Sequence, residues 1–285
     1  MTRSMLFVPG DSAKKLDKAM ESEADALILD LEDSVASDQK PEARAQVARA
    51  LDGDRRGKDL WVRVNAVESG LLLQDLAAVV AHRPFGILLP KCNGRAMLEL
   101  VSHYLDALEA VAGMQAGSVR ILAIATETAQ SLFKLGEYAG VTPRLWGMTW
   151  GAEDLGADVG SISNQSQSAY TDPYRMVRSL CLFAAAAAGV RPIDAVCVHL
   201  QDDELLRGEA EAGFQDGFVG KLAIHPKHLS AIHQAFTPSA GQLDWARRVQ
   251  EAFAAQPDAG TLRLDGKMID KPHARLAARL LAAAG

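Results

Sequence analysis

The feature that most restricts the fold is a series of eight short apolar runs, each followed by a stretch with helical composition. Runs that are apolar on both faces are typical of parallel strands buried between other layers. The runs lie at residues 4–8, 26–31, 60–64, 86–89, 120–125, 145–149, 193–198 and 218–224. Eight strands alternating with helices is the number that a closed barrel needs. The sequence therefore predicts an α/β protein with a TIM (β/α)8 barrel.

An open, doubly wound sheet of six or seven strands is the alternative fold. It would require that the two weaker runs, 86–89 and 193–198, are not strands. The helix signals between the runs are regular, since Pro41 and Pro173 stand where helices would begin and Gly189 stands where one would end. The count of eight runs favours the barrel.

The chain continues beyond the eighth run with two further helical stretches, 241–255 and 272–284, and a link over 257–270. A barrel does not need these elements. We therefore predict two parts, a catalytic barrel over residues 1–236 and a C-terminal helical extension over residues 237–285. The extension is expected to pack outside the barrel, to reach the active-site mouth or to contact a neighbouring subunit.

Charge and cysteine usage restrict the partners and the compartment. Thirty Lys and Arg against 36 Asp and Glu give a net charge of −6, so no basic field favours nucleic acid or an anionic membrane. The three cysteines form no C-x-x-C pair, which suits a reducing compartment. The longest apolar stretch, 180–190, is too short to span a bilayer, and Pro9-Gly10 interrupts the apolar N-terminal run. We expect a cytoplasmic protein.

Polar residues follow the apolar runs. In a parallel barrel the carboxyl ends of all strands converge on the face that carries the chemistry. The residues are Pro9-Gly10-Asp11, Asp30, Glu32, Asp33, Arg63, Asn65, Pro90-Lys91, Glu127-Thr128, Glu153-Asp154, Gln201-Asp202-Asp203 and His225-Pro226. Any one of them has the alternative of being a solvated loop residue. Together they predict a carboxylate-rich mouth with at least two cations.

Glu127 and Asp154 are the candidate metal ligands. They are 154 − 127 = 27 residues apart, about one βα unit, so they are expected at the ends of strands five and six. Two carboxylates in an acidic site suit a hard divalent cation such as Mg²⁺, which prefers oxygen ligands. Two alternatives remain, a pair that shares one proton for acid–base work and a pair neutralised by Arg63 and Lys91.

The two cations each allow two interpretations. Arg63 lies at the inner end of an apolar strand, where an unpaired guanidinium would cost several kcal/mol. It suits a substrate carboxylate or a developing oxyanion, and the alternative is a structural ion pair with Asp30 or Glu32. Lys91 also ends a strand and is a candidate for Schiff-base chemistry, which would not require the carboxylate pair.

Six motifs occur in one order along the chain. They are residues 3–10 (RSMLFVPG), 29–35 (LDLEDSV), 62–65 (VRVN), 127–129 (ETA), 151–158 (GAEDLGAD) and 220–226 (GKLAIHP). With these motifs the sequence resembles the citrate lyase β-subunit-like proteins, a family that includes malyl-CoA and citramalyl-CoA lyases. The resemblance implies a TIM barrel assembled as a homotrimer or as a hexamer. It also implies Mg²⁺-dependent cleavage of a 3-hydroxyacyl-CoA, such as malyl-, citramalyl- or citryl-CoA, into acetyl-CoA and a 2-oxo acid, or the reverse reaction.

The resemblance also implies roles for individual residues. Glu127 and Asp154 would be the metal ligands, and Arg63 would bind substrate and stabilise charge. Glu32 and Asp33 would hold metal-bound water or orient the site. The residues that would border coenzyme A are Pro9, Gly10, Lys91, Lys221, His225 and Pro226.

The tail segment 265–273 resembles the C-terminal lid of the family, in which an acidic residue enters the site of a neighbouring subunit; Asp270 is the matching position. Three alternatives to the lyase stay open. They are a thioester hydrolase on the same scaffold, a non-catalytic subunit that binds CoA or an oxo acid, and a metal-dependent aldolase that does not use CoA. The natural acyl-CoA and a role in a larger citrate lyase complex also stay open.

Overall fold

A computed structural model describes residues 2–166 and 169–284, and the chain divides into two compact units, residues 2–232 and 233–284. The strands of the described chain are β1 (Ser4–Pro9), β2 (Ala26–Asp30), β3 (Asp59–Arg63), β4 (Gly86–Leu89), β5 (Arg120–Ile124), β6 (Leu145–Thr149), β7 (Gln165–Ser166), β8 (Ala169–Tyr170), β9 (Arg191–Asp194), β10 (Gly220–Ala223), β11 (Thr261–Leu264) and β12 (Lys267–Asp270).

Eight of these described strands, β1 to β6 with β9 and β10, form a closed parallel barrel. The barrel closes because β10 pairs with β1, with Ser4 beside Lys221. The predicted TIM barrel is confirmed, and the alternative of an open sheet is wrong. The two weaker runs are both represented by barrel strands, β4 and β9.

Helices follow the barrel strands as predicted. In chain order they are α1 (Ala13–Met20), α2 (Lys40–Asp52), α3 (Leu72–Val79), α4 (Arg95–Val111), α5 (Ala129–Leu132), α6 (Glu153–Val159), α7 (Asp172–Ala188), α8 (Asp203–Asp216), α9 (Leu229–Ala235), α10 (Ala240–Ala255) and α11 (Lys271–Ala284). Pro173 stands in the first turn of α7, and Gly189 ends that helix with a φ of 69°. No helix in the described ranges has both the length and the apolar character needed to span a bilayer.

Aromatic side chains fill the amino-terminal end of the barrel. The rings of Trp61 and Phe85 have centroids 5.2 Å apart, and those of Trp61 and Trp146 are 5.0 Å apart. Gly86 begins β4 against this cluster, where a Cβ would come within 2.4 Å of Trp61 Cζ3. A side chain at this position would displace the tryptophan. The barrel interior is thus packed at this end, and its polar cavity lies at the carboxyl ends of the strands.

The seventh barrel strand is the least accurate prediction. The apolar pattern places it at 193–198, whereas β9 spans Arg191–Asp194. Asp194 is almost completely buried and bonds to Trp150 and Arg178, so a charged residue ends the strand inside the protein. The apolar residues after it, Ala195 and Val196, line the cavity and do not extend the strand.

The second unit contains α10, the hairpin β11–β12 and α11, which share a small core. Ser239 and Gln242 form a capping box at the start of α10. The segment predicted as a link contains the hairpin, with Leu262 paired to Ile269. Asp265 and Gly266 form its turn with φ values of 50° and 77°, which is the pattern of an Asp-Gly hairpin.

Candidate active site at the carboxyl ends of the strands

A cavity of about 350 Å³ lies at the carboxyl ends of the barrel strands. Its charged lining consists of Asp30, Asp33, Arg63, Glu127, Glu153 and Asp154. The rest of its lining is mainly apolar or aromatic, with Phe7, Pro9, Ile124, Trp150, Tyr170, Ala195, Val196, Leu222 and Ile224 among it. These six charged residues, all predicted at the mouth, therefore share one cavity, whereas Glu32, Asn65 and Lys91 line a separate one.

Strand register places Arg63 beside Asp30. The two residues are direct partners across β2 and β3, and the guanidinium donates two parallel hydrogen bonds to the carboxylate, Nε to Oδ1 at 2.7 Å and Nη2 to Oδ2 at 2.6 Å. Burial alone would raise the pKa of Asp30, but the bonds and charge of Arg63, with N–H donors of Ser34 and Glu32, hold that pKa below its ordinary value of 3.8. Asp30 is thus a permanent anion that fixes the guanidinium.

Arg63 keeps one edge directed away from Asp30. Its Nη1 lies 3.2 Å from Glu32 Oε2 and 3.6 Å from Asp33 Oδ2, and neither contact has the geometry of a hydrogen bond in the described structure. One face of the guanidinium lies 4.9 Å from the ring centre of Phe7. The sequence leaves a structural ion pair and a cavity-facing cation as alternatives for Arg63. The structure shows both, because Arg63 bonds to Asp30 and also lines the cavity.

Glu127 is a deeply buried acid of the cavity, with 4% of its surface exposed. The backbone N–H of Lys91 donates to Glu127 Oε2 at 2.5 Å. Burial raises the pKa of Glu127 to about 8, against the effect of this N–H, and the charges of Asp154 and Glu32 raise it further. The ionised form of Glu127 is therefore unfavourable in this cavity unless a cation lies beside it.

Lys91 connects the acids on both sides of the site. Its Nζ lies 2.8 Å from Glu32 Oε1 and 3.2 Å from Asp154 Oδ1. Burial alone would lower the pKa of Lys91, but the bond to Glu32 and the nearby carboxylates raise it above its usual range. The ammonium therefore stays charged, which disfavours the Schiff-base interpretation because imine formation needs the neutral amine.

The residues fit a magnesium ion in charge and in ligand type. Glu127 and Asp154 line the same cavity, and Glu32 Oε2 is buried without a hydrogen-bond partner in the described chain. Burial also raises the pKa of Glu32, against the effects of Arg63 and Lys91. Residues 2–166 and 169–284 contain no preformed group of three acidic, histidine or cysteine ligands. Mg²⁺ often takes only one or two protein carboxylates and completes its shell with water and substrate oxygens, so a pair suffices.

The residues predicted to border coenzyme A have different environments. Pro9 lines the cavity, whereas the N–H of Gly10 bonds to the carbonyl of Asp30 at 2.8 Å. His225 and Pro226 are exposed after β10, and His225 Nδ1 accepts a bond from the N–H of Lys227.

Lys221 does not reach the mouth. It is 2% exposed, and its Nζ lies 3.3 Å from Glu209 Oε2 and 3.6 Å from Asp194 Oδ2. This ammonium neutralises buried carboxylates between β9, β10 and α8. Its position argues against the expected contact with coenzyme A.

Asp270 lies on β12 in the second unit. Its Oδ1 is 2.6 Å from Nδ1 of His273, and its side chain is partly exposed. Asp270 and His273 both belong to the second unit.

Sequence reasoning missed Trp150 as a cavity residue. The indole lines the cavity, donates from Nε1 to Asp194 Oδ1 at 2.7 Å and meets the ring of Tyr170 at 5.0 Å. Its position directly after β6 and before Gly151 is the signal that could have identified it. Its partner Asp194 could not have been identified, because the strand pattern placed that residue inside an apolar run.

The barrel and this cavity define a TIM-barrel protein with a polar site where the strands end, the usual position of active sites in this fold. The chain belongs to the HpcH/HpaI aldolase/citrate lyase family, whose match covers residues 3–226. The resemblance found in the sequence motifs is thereby confirmed.

Two relatives and one solved structure illustrate the family. The chain is 35% identical over 285 residues to a (3S)-malyl-CoA thioesterase of Cereibacter sphaeroides, covering 99% of this chain and 94% of that protein. It is 36% identical over 283 residues to a citrate lyase subunit beta-like protein of Mycobacterium tuberculosis, covering 98% and 94%. A crystal structure of the M. tuberculosis protein CitE in complex with magnesium, acetoacetate and coenzyme A matches with a TM-score of 0.80 and 33% identity, covering 99% and 98%. Family membership thus includes both a thioesterase and a lyase-like protein.

Proposed function

We propose that this chain is a Mg²⁺-dependent carbon–carbon lyase that cleaves or forms a 3-hydroxyacyl-CoA, with acetyl-CoA and a 2-oxo acid as the other reactants. The observation that carries the proposal is the presence of Glu127, Asp154 and Arg63 in one cavity. Nε and Nη2 of Arg63 bond to Asp30, and its Nη1 lies near two carboxylates without a hydrogen bond. The CitE structure with magnesium, acetoacetate and coenzyme A supports the choice of ligands. Its bound acetoacetate carries the oxo and carboxylate groups that an oxo-acid site must recognise.

Glu127 and Asp154 would hold the metal. When bound, Mg²⁺ supplies Lewis-acid stabilisation of negative charge on substrate oxygens. Lys91 keeps both carboxylates in place, through its backbone N–H to Glu127 and its ammonium beside Asp154. Glu32 and Asp33 would orient the site from the opposite side, next to Nη1 of Arg63.

Arg63 would stabilise the charge that develops during cleavage. The carbinol proton would pass to water in the cavity as the carbon–carbon bond breaks, and the products would be the carbonyl group of the oxo acid and the enolate of acetyl-CoA. Because Asp30 holds the guanidinium from one edge, its Nη1 edge is directed in advance and needs no reorganisation as the charge forms. This preorganisation would lower the barrier to cleavage.

Asp270 would complete the site from the lid of a neighbouring subunit, in an oligomer such as the homotrimer or hexamer that the resemblance implies. Its carboxyl group would protonate the enolate carbon, and in the reverse direction its carboxylate would deprotonate the methyl group of acetyl-CoA. His273, 2.6 Å from Asp270 Oδ1, would orient the carboxyl group. Pro9 and the exposed loop at His225 and Pro226 would border the coenzyme A, and a cytoplasmic location fits these metabolites.

Thioester hydrolysis on the same scaffold is the second candidate function. The 35% identity to a (3S)-malyl-CoA thioesterase favours it. Product analysis separates the two reactions. A lyase releases a 2-oxo acid with acetyl-CoA, whereas a hydrolase releases free CoA and a hydroxy acid.

The test is turnover of (S)-malyl-, citramalyl- and citryl-CoA with Mg²⁺, with quantification of the oxo acid, acetyl-CoA and free CoA. Asp154→Ala should abolish turnover and Mg²⁺ binding together. Asp17→Ala, which removes an exposed carboxylate on α1 outside the cavity, is the matched control and should retain both. Normal lyase activity in Asp154→Ala would contradict the metal assignment.

A further inference from the structure

We propose that the site selects substrates whose carbinol carbon carries, besides its hydroxyl and one carboxylate, a small alkyl group and no second carboxylate. The corresponding oxo acid is a monocarboxylate such as pyruvate or 2-oxobutyrate, and oxaloacetate is rejected. This inference rests on the proposed function and specifies its substrate class. It follows from the charge balance and the wall composition of the cavity.

The charge balance of the cavity disfavours a second carboxylate. Among the described residues that line it, five are acidic and Arg63 is the one cation. The two positive charges of a bound Mg²⁺ would still leave five negative charges against three positive. A substrate with one carboxylate can use Arg63 and the metal. A second carboxylate would find no further cation among the described lining residues and would lie near like charges, which disfavours its binding.

The nearby lysine does not alter this balance. Lys91 is not among the lining residues, and its Nζ is paired with Glu32 and Asp154. The first turn of α6 carries Glu153 and Asp154, so the partial positive charge at this helix start is already complemented by carboxylates.

The walls of the cavity favour an alkyl group. The apolar lining includes Ile124, Val196, Leu222 and Ile224. Three of these, Ile124, Val196 and Leu222, are buried or half-buried and pack with the barrel core, so they form a fixed surface. Burying one methyl group against such a surface contributes ~0.8 kcal/mol, which corresponds to about fourfold in kcat/KM.

The first experiment compares kcat/KM for citramalyl-, (S)-malyl- and citryl-CoA, which differ at this position in carrying a methyl group, a hydrogen atom and a carboxymethyl group. We expect kcat/KM for citramalyl-CoA to be about fourfold higher than for malyl-CoA. We expect it to be about 100-fold higher than for citryl-CoA. Calorimetric titration with pyruvate, 2-oxobutyrate and oxaloacetate in the presence of Mg²⁺ supplies a readout that does not depend on turnover. The two monocarboxylates should bind at least ~10-fold more tightly than oxaloacetate.

A designed cation tests the cause of the selectivity. Ile224 lines the cavity and is 40% exposed, so a longer side chain can be accommodated there. Ile224→Arg should raise the ratio of citryl-CoA to citramalyl-CoA turnover, and of oxaloacetate to pyruvate affinity, by about 10-fold. Ile224→Ala is the matched control for loss of the apolar contact. In this variant citryl-CoA should remain a poorer substrate than citramalyl-CoA, and oxaloacetate should still bind more weakly than pyruvate.

The outcomes separate this inference from the function on which it rests. Comparable kcat/KM for citryl-CoA and citramalyl-CoA, or equal binding of oxaloacetate and pyruvate, overturns the inference and leaves the lyase assignment intact. Absence of turnover of all three thioesters, together with absence of oxo-acid binding, overturns both. Selective turnover or binding of the alkyl-bearing compounds supports the inference, and a shift in Ile224→Arg identifies charge as its cause.

Discussion

Gly151 lies directly against Glu127, and a Cβ built on this glycine would come within 2.8 Å of Glu127 Cγ and 3.3 Å of its Oε1. The residue between β6 and α6 must therefore be small for the buried carboxylate to keep its place. The same carboxylate is held from the other side by the backbone N–H of Lys91. Glu127 is thus positioned by backbone on two sides.

Gly151→Ala should displace Glu127 and weaken Mg²⁺ binding by about 10- to 100-fold, as is typical when the support of a metal ligand is lost. Isothermal titration calorimetry measures this loss. Gly136→Ala is the matched control, because a Cβ there meets nothing within 4 Å. A wild-type Mg²⁺ affinity in Gly151→Ala would show that the position of Glu127 does not matter for the metal.

Arg63→Lys should lower kcat/KM by about 100-fold, because a lysine keeps the positive charge but cannot hold Asp30 and direct a second edge at the substrate. Steady-state kinetics with the best thioester measures the effect. Arg49→Lys changes an exposed guanidinium paired with Glu42 on α2 and should have no effect. Activity within threefold of the wild type in Arg63→Lys would contradict the role of the guanidinium.

Lys91 should not form an imine with a 2-oxo acid. Its pKa lies above the usual range, so at neutral pH the amine is fully protonated and bonded to Glu32. Treatment with pyruvate and borohydride, followed by mass spectrometry, should reveal no adduct at this residue. An adduct present in the wild type and lost in Lys91→Met would favour Schiff-base chemistry.

Much of this architecture is readable from the sequence because parallel strands buried on both faces leave long apolar runs, and their polar ends mark the mouth. Arg63 and Asp30 could be paired in advance, since each stands at the end of its own run. The burial of Lys221 could not be predicted, because its partners Asp194 and Glu209 become neighbours only when β9, β10 and α8 pack together. The hairpin of the second unit carried a usable signal in Asp265-Gly266.

The buried charge of Asp194 provides a test of stability against pH. Burial raises the pKa of Asp194, but Lys221 and Arg178 hold it below 3.8. A carboxyl group with a lowered folded-state pKa stabilises the fold above its unfolded pKa, and this contribution is lost as the pH falls through the folded pKa. Asp194→Asn should therefore lower the free energy of unfolding by about 3 kcal/mol at pH 7. The deficit should shrink below about pH 4.

Urea unfolding at neutral and acidic pH measures this deficit. Asp216→Asn is the matched control, because Asp216 contacts the same Arg178 at 2.6 Å but is half exposed. Its loss should cost less than about 1 kcal/mol. A deficit in Asp194→Asn that stays constant from neutral to acidic pH would mean that the charge of Asp194 does not contribute.

The central claim is that Glu127 and Asp154 share one divalent ion, and a crystal soaked with Mn²⁺ tests it most directly. We predict an anomalous-difference peak in the cavity, at bonding distance from one oxygen of each carboxylate, and its loss in Glu127→Gln. A peak bound to other residues, or a cavity in which the two carboxylates cannot reach a common ion, would contradict the account.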